Sequence, residues 1–246
     1  MDTKRRKLDR PAFYAVAGGG WRDLVTLLHP PYTAWHLSYV VLGAAVAPTL
    51  HVGRLLATLS AFFLAVGVSA HALDELAGRP LQTTLRRRTL VGLAVVGLVG
   101  AVGIGVAGAI VVSPLLAPPV ALGALLVLGY NLELAGGRLH TDVWFAIAWG
   151  GFPAFIGYFA QTLTITAAGV LVAAGCCVLS AAQRRLSTPV RELRRRTAAV
   201  TGEQQLTDGT TVALTKASLA APLEGGLSAL WIAVVLLAAG LLAAKL

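Results

Sequence analysis

Long, nearly uncharged apolar runs constrain this chain more than any other feature. A helix that crosses a bilayer needs about 20 apolar residues, with a range of about 17–25. Runs of that kind lie near Ala34–Thr49, Arg54–Leu73, Thr89–Val112, Pro114–Leu128, Val143–Tyr158, Leu163–Ala182 and Leu227–Ala244. An eighth segment, Val212–Leu223, is apolar but short and carries Lys216 and Pro222, which suits a partial span or an interfacial helix. The short alternating strands of a transmembrane barrel are absent. The expectation is an all-α, polytopic transmembrane helix bundle of seven or eight spans with a polar cap at its cytoplasmic end. Of 246 residues, 57% are apolar and 13% charged, against about 45–50% and about 25% in soluble domains. That composition excludes an ordinary soluble enzyme, and it excludes disorder over most of the chain. The two cysteines, Cys176 and Cys177, are adjacent within an apolar run, so they read as helix filling and not as a disulfide framework.

The net charge of +9 sorts by loop. Lys4, Arg5, Arg6, Lys7, Arg10 and Arg22 precede the first span. Arg79, Arg86, Arg87 and Arg88 follow the second, Arg138 the fourth, and Arg184, Arg185, Arg191, Arg194, Arg195 and Arg196 the sixth. These are 17 of the 20 Lys and Arg residues, and all fall on one side. The positive-inside rule places the N-terminus and those loops in the cytoplasm. The charge therefore reads as orientation, with anionic headgroups and not nucleic acid as its natural partner. No signal peptide is visible. Residues 1–33 form a basic cytoplasmic leader in which Trp21, Leu24, Leu27 and Leu28 recur at helical spacing, as in a short amphipathic helix on the membrane surface. Residues 34–246 form one transmembrane helical domain. In the third span Gly97, Ala101, Gly105 and Gly108 line one face and allow close helix packing.

Polar groups at membrane depth are the default functional candidates, and here they gather at three cytoplasmic helix ends. In the first, His71, Asp74 and Glu75 stand at i, i+3 and i+4 on one face, and Gly78 and Pro80 stop the helix. Paired carboxylates there suit Mg²⁺, which bridges to substrate phosphates, with His71 as a further ligand and arginines on the phosphates. The alternative is that Asp74 and Glu75 pair with Arg79 and Arg86–Arg88 at the water interface, and that His71 is a hydrogen-bonded helix-end residue. The second cluster holds Tyr130, Asn131, Glu133, Arg138, His140 and Asp142. The third runs from Gln183, Arg184 and Arg185 to Arg196, and its arginines also read as a topology anchor. In the fifth span Phe145, Trp149, Phe152 and Phe159 recur on one face, with Phe155 and Tyr158 nearby. Such a face lines a lipid-tail tunnel and faces a carbocation with its π-system, or it packs against neighbouring helices. Five scattered histidines (His29, His36, His51, His71, His140) do not suit a membrane di-iron hydroxylase.

The order of these parts resembles the UbiA-type intramembrane prenyltransferases. Arg79-Pro80-Leu81 resembles the ending of that family's first motif loop, and Tyr130 to Gly157, with Gly150, Gly151 and Pro153, is similar to its passage from fourth to fifth helix. Leu28-His29-Pro30 before the first span is similar as well. The resemblance covers about residues 20–200. It implies a helical bundle with a cytoplasmic cap that transfers a prenyl group from a polyprenyl diphosphate to a small or lipid acceptor. It implies Asp74 and Glu75 at Mg²⁺, Tyr130 and Asn131 at the reacting centre, and Arg79, Arg138, Arg184 and Arg185 on the diphosphate. Phe145, Trp149 and Phe152 would line the tail tunnel. The first acidic motif is reduced here to Ala70-His71-Ala72-Leu73-Asp74-Glu75, and arginines replace the second, so one metal with arginines around it is the implied arrangement.

A faint echo, Leu85-Arg86-Arg87-Arg88-Thr89 and Leu193-Arg194-Arg195-Arg196-Thr197, fits two related halves. The alternative function is a non-catalytic relative that binds an isoprenoid or other lipid, or serves as an assembly or transport subunit. A CDP-alcohol transferase is disfavoured because Asp208-Gly209 continues as Thr210-Thr211. A secondary transporter is disfavoured because no broken helix pair is evident.

Overall fold

The computed structural model describes residues 10–16 and 19–246; the basic stretch Lys4–Lys7 lies outside the described residues. The described chain is built of eight helices and one small hairpin. They are α1 (Trp21–Leu27), α2 (Pro30–Ala45), α3 (Val52–Leu76), α4 (Arg87–Val111), α5 (Pro114–Asn131), α6 (Asp142–Thr162), α7 (Ala167–Arg195), β1 (Glu203–Gln205), β2 (Thr211–Ala213) and α8 (Lys216–Ala243). Helices α3 to α8 are each long and apolar enough to cross a membrane, and the chain is a multi-pass membrane protein of all-α class. Large apolar side chains point outward around the bundle, among them Val95, Val96, Val99 and Ile110 on α4, Leu125 on α5, Leu171 and Val178 on α7, and Leu236 and Leu237 on α8. In water such a surface would be unstable; in lipid it is the natural exterior.

Helix α2 is different. Its 16 residues reach about 24 Å at 1.5 Å per residue, short of a bilayer core of about 30 Å. It lies inside, against α6 and α8, with Trp35, Tyr39, Val40 and Ala44 fully buried. Where α2 crosses α6 the backbones touch. A Cβ on Gly43 would stand 1.9 Å from the carbonyl oxygen of Ala154, and one on Gly157 would stand 2.2 Å from that of Val40. Small residues permit this approach, and dispersion contacts along it hold helices together where lipid supplies no hydrophobic drive. The glycine stripe of α4 acts similarly: a Cβ on Gly97 would meet the carbonyl oxygen of Leu64 at 2.7 Å.

Two helices carry π-helical segments, Phe63–Ala70 in α3 and Ile147–Gly151 in α6. A π-turn adds a residue and rotates everything beyond it, and such turns gather at functional sites. Both flank the cavity described below.

The structure departs from the sequence reading in four places. The expected first span, Ala34–Thr49, falls on the short buried α2, so six helices among the described residues are long and apolar enough to cross, not seven or eight. The apolar segment Val212–Leu223 is no separate span; it is split between strand β2 and the first turns of α8, whose start is set by a capping box between Thr215 and Ser218. The hairpin is antiparallel, pairing Glu203 with Ala213 and Gln205 with Thr211. Its turn is held by Asp208, whose Oδ1 accepts hydrogen bonds from the backbone N–H and hydroxyl of Thr210. Next, α7 does not stop near Ala182 but continues to Arg195 across an internal proline, Pro189. The third arginine cluster is therefore a helix face and not a loop. Finally, the repeated Leu-Arg-Arg-Arg-Thr has no structural counterpart, since its first copy leads into α4 and its second closes α7.

Candidate functional site

One end of the bundle encloses a polar cavity of about 430 Å³. Its walls come from the leader residues 11–14, the starts of α2 and α6, the ends of α3 and α5, the loop 132–141 and the last three turns of α7. Among the residues singled out from the sequence, His71, Asp74, Tyr130, Asn131, Phe145, Trp149 and Arg184 line it. Four others do not. Glu75 is 1% exposed and faces the loop after α3. Its Oε2 accepts from the Leu81 N–H at 2.9 Å, and its Oε1 accepts from the Thr83 N–H at 2.8 Å and the Thr83 hydroxyl at 2.9 Å. A carboxylate so occupied is a loop clamp and not a metal ligand. Arg79 is also structural, donating to the carbonyl oxygens of Thr83 and Leu85 at 2.9 and 2.7 Å. Arg138 and Arg185 are exposed and outside the cavity lining.

The cationic wall is instead built by α7. Arg184, Arg191, Arg194 and Arg195 line the cavity because offsets of 7, 10 and 11 residues return to one side of a 3.6-residue helix. Arg184 donates from Nε to Asp142 at 2.8 Å and lies over the Phe145 ring, 5.1 Å from its centroid. Arg194 forms a two-pronged pair with Glu224 of α8, at 2.5 and 2.9 Å, and donates to the Arg10 carbonyl oxygen. Arg195 donates to the Pro11 carbonyl oxygen at 3.1 Å. The leader is thereby strapped over the cavity. Asp74 faces Arg184, Arg191, Arg195 and His140 across this space.

Histidines furnish the opposite wall. His29 holds the left-handed conformation at φ 46° immediately before α2, uncommon for a residue with a Cβ. Its ring stacks on His71 with centroids 4.0 Å apart, and its Nδ1 shares a hydrogen bond of 2.8 Å with the Tyr14 hydroxyl. Burial, reinforced by His71 and Arg195, holds His29 well below its ordinary value of 6.5, so the ring is neutral at pH 7. Burial likewise holds the Tyr14 hydroxyl well above 10.0. His71 Nδ1 lies 3.2 Å from the Gly67 carbonyl oxygen, within the π-segment.

A second, apolar cavity of about 150 Å³ lies deeper, between α3, α4, α5 and α6. Small residues (Ala57, Ala61, Ala65, Gly105, Gly123) leave the space, and Phe62, Leu98, Phe152 and Ile156 also line it. It extends to Arg54, Val112 and Ala160 at the opposite end of the bundle. Val66 and Trp149 line both cavities, so a charged chamber and an apolar groove share one wall. Phe152 belongs to the groove alone, and Phe159 stacks on Phe155 outside both.

Among the described residues no group of three or more His, Cys, Asp or Glu side chains is arranged to hold a metal ion. With Glu75 bound to its loop and Asp74 set among arginines, this donor set does not make the Mg²⁺ site expected from sequence. No model of a protein family, no curated protein and no solved structure matches the chain.

Proposed function

We propose that this protein is a UbiA-like intramembrane prenyltransferase that takes a prenyl diphosphate as donor. The observation that carries the reading is the shared Val66/Trp149 wall, which sets an arginine-lined chamber beside an apolar groove. An amphiphile with an anionic head and a long unbranched or prenyl tail fits that pair. Transfer chemistry would follow from the same walls. Arg184, Arg191 and Arg195 receive the diphosphate and offset the charge that grows on it as the donor C1–O bond breaks, the step that electrostatic stabilisation accelerates most. The allylic cation left behind would lie among the faces of Tyr130, Phe145 and Trp149, whose ring centroids are 5.6 Å (Tyr130–Trp149) and 6.2 Å (Tyr130–Phe145) apart. Asp74 and Asn131 border the reacting centre. No step in this scheme passes through Mg²⁺. In orientation, the chamber end and the N-terminus face the cytoplasm, supported by the one-sided arginines, and the exposed Trp21 and Leu24 of α1 rest at the headgroup level.

A second reading, a non-catalytic isoprenoid-binding relative, is favoured by one observation: Glu75, the partner expected for Asp74, is bound into a loop. One experiment separates them. The full chain in lipid nanodiscs is incubated with radiolabelled farnesyl and geranylgeranyl diphosphates and a membrane lipid extract. A transferase releases diphosphate, and Asp74→Ala or Arg191→Ala slows the release at least about tenfold, a loss of about 1.4 kcal/mol. Saturable donor binding with no diphosphate release supports the non-catalytic reading. Absence of donor binding contradicts both.

A further inference from the structure

The apolar groove ends on a cation. At the end of the bundle away from the arginine chamber its lining includes Arg54, Val112, Leu116 and Ala160. Arg54 is half-buried and has no acidic partner among the described residues, where the ion pairs are those of Arg184 and Arg194. The sequence offers it none: residues 46–63, 105–119 and 156–170, at this end of the helices, contain no Asp or Glu. Lys245 adds a second positive charge there, its Nζ donating to the Ala47 carbonyl oxygen at 2.8 Å.

Arg54 is held in place yet not used up. Its Nη1 donates to the carbonyl oxygens of Ala160 and Gln161 at 3.3 and 3.2 Å, which leaves Nε and Nη2 without a hydrogen bond among the described residues. A guanidinium presents its donors as a fork that matches an oxyanion. Gln161 supplies another unmet donor in the same layer. It is 4% exposed, and its Oε1 accepts from the His51 N–H at 2.7 Å. That bond fixes the amide's orientation, since the reverse would set two donors against each other. Its Nε2 is therefore a buried donor with no acceptor, a state that asks for an explanation.

The mouth lies at membrane level. Val111 and Leu115, next to the lining residues Val112 and Leu116, are 81% and 56% exposed, a surface suited to lipid and not to water. A ligand entering there comes from the bilayer, with an apolar chain for the groove and a negative charge for Arg54. A fatty acid meets the second need poorly, because desolvation pushes its carboxyl toward the neutral form. A phosphodiester stays ionised.

We propose that Arg54 and Gln161 bind the phosphate of an anionic phospholipid in the leaflet at that end, and that one of its acyl chains enters the groove. The other chain lies along the outward face of Val111 and Leu115. This site goes beyond the donor reading and does not use the arginine chamber.

The test uses the full chain in phosphatidylcholine nanodiscs doped with phosphatidylglycerol that carries a diazirine midway along one acyl chain. The matching phosphatidylcholine and palmitate probes are run in parallel. After illumination, mass spectrometry maps the labelled residues. Phosphatidylglycerol is expected to label Phe62, Leu98, Phe152 and Ile156 at least about fivefold more than phosphatidylcholine at equal mole fraction. Leu171 and Val178, exposed on α7, report insertion and folding and are labelled alike by both lipids. Arg54→Gln keeps a donor for the two carbonyls but removes the charge, and abolishes the preference in the groove; Arg54→Lys keeps most of it. If the two lipids label the groove equally, or neither labels it, the site is overturned. It is overturned too if Arg54→Gln retains the preference, or if palmitate labels the groove more strongly than phosphatidylglycerol. Farnesyl thiolodiphosphate binding in the same nanodiscs reports the donor reading separately.

Discussion

Single carboxylates decide what the cap can do. Asp74 and Glu75 are neighbours, yet one borders the chamber and the other holds a loop shut. Removing the clamp strands three buried donors, each worth about 1–3 kcal/mol. Glu75→Ala is therefore expected to lower stability by about 3 kcal/mol or more, and Glu75→Gln, which keeps one acceptor oxygen, by less. Thermal unfolding in detergent measures both. His29 supplies a pH signature. Its folded-state value is depressed below 6.5 by burial, so below pH 6.5 the unfolded chain binds a proton that the folded chain resists. Stability is thus full above pH 6.5 and is lost as pH falls below it. The melting temperature is expected to drop between pH 7.5 and 5.5, and to drop less in His29→Gln. The sequence pattern placed His71, Asp74 and Glu75 on one helix face. It also placed the stop at Gly78 and Pro80, next to the observed end at Leu76, but it did not reveal that the turn behind it needs an acceptor for Leu81 and Thr83. That demand belongs to the loop and leaves no periodicity to read.

Helices set the next level of constraint. The α2/α6 crossing depends on two glycines whose missing Cβ atoms admit the opposing backbone. Gly43→Leu is expected to destabilise the bundle by more than the 1–3 kcal/mol typical of overpacking, because the obstacle is a carbonyl and not a side chain that can rotate. Scanning calorimetry or detergent-resistance assays report it. Helix α7 supplies the arginine wall of the chamber. If its arginine face holds the anionic head, Arg191→Ala weakens donor-analogue binding about tenfold, while Arg138→Ala and Arg185→Ala, both exposed, stay within about twofold. Six of the seven apolar runs fall on helices long enough to cross a membrane. The continuation of α7 was not legible, because Pro189 and a sharp loss of hydropathy mark the end of a span in sequence. The signal that survives is spacing: Arg184, Arg191 and Arg195 repeat at 7 and 4 residues, a helical face hidden inside an apparent charge run. Conversely, the aromatic face of α6 looked uniform by spacing. The π-segment at Ile147–Gly151 divides it, sending Phe145 toward the chamber and Phe152 into the groove.

The whole molecule is a bundle around two neighbouring cavities of opposite polarity that share the Val66/Trp149 wall, and that adjacency was outside the reach of any local pattern. It arises from non-local packing of α3, α4, α5 and α6 around alanines and glycines, each unremarkable alone. Two consequences follow at this scale. Filling the groove with Ala61→Phe is expected to weaken geranylgeranyl more than farnesyl analogues, by about tenfold against about twofold, because the longer tail reaches further along it. If arginines meet the diphosphate as proposed, chelation with EDTA is expected to leave headgroup binding within twofold. The most direct measurement of the central claim is equilibrium binding to the full chain in nanodiscs of farnesyl thiolodiphosphate, farnesol and inorganic diphosphate side by side. If head and tail occupy joined chambers, the amphiphile binds at least about a hundredfold more tightly than either half alone, and Arg191→Ala and Ala61→Phe each reduce that advantage. Equal binding of the three, or an advantage that survives both substitutions, would contradict the account.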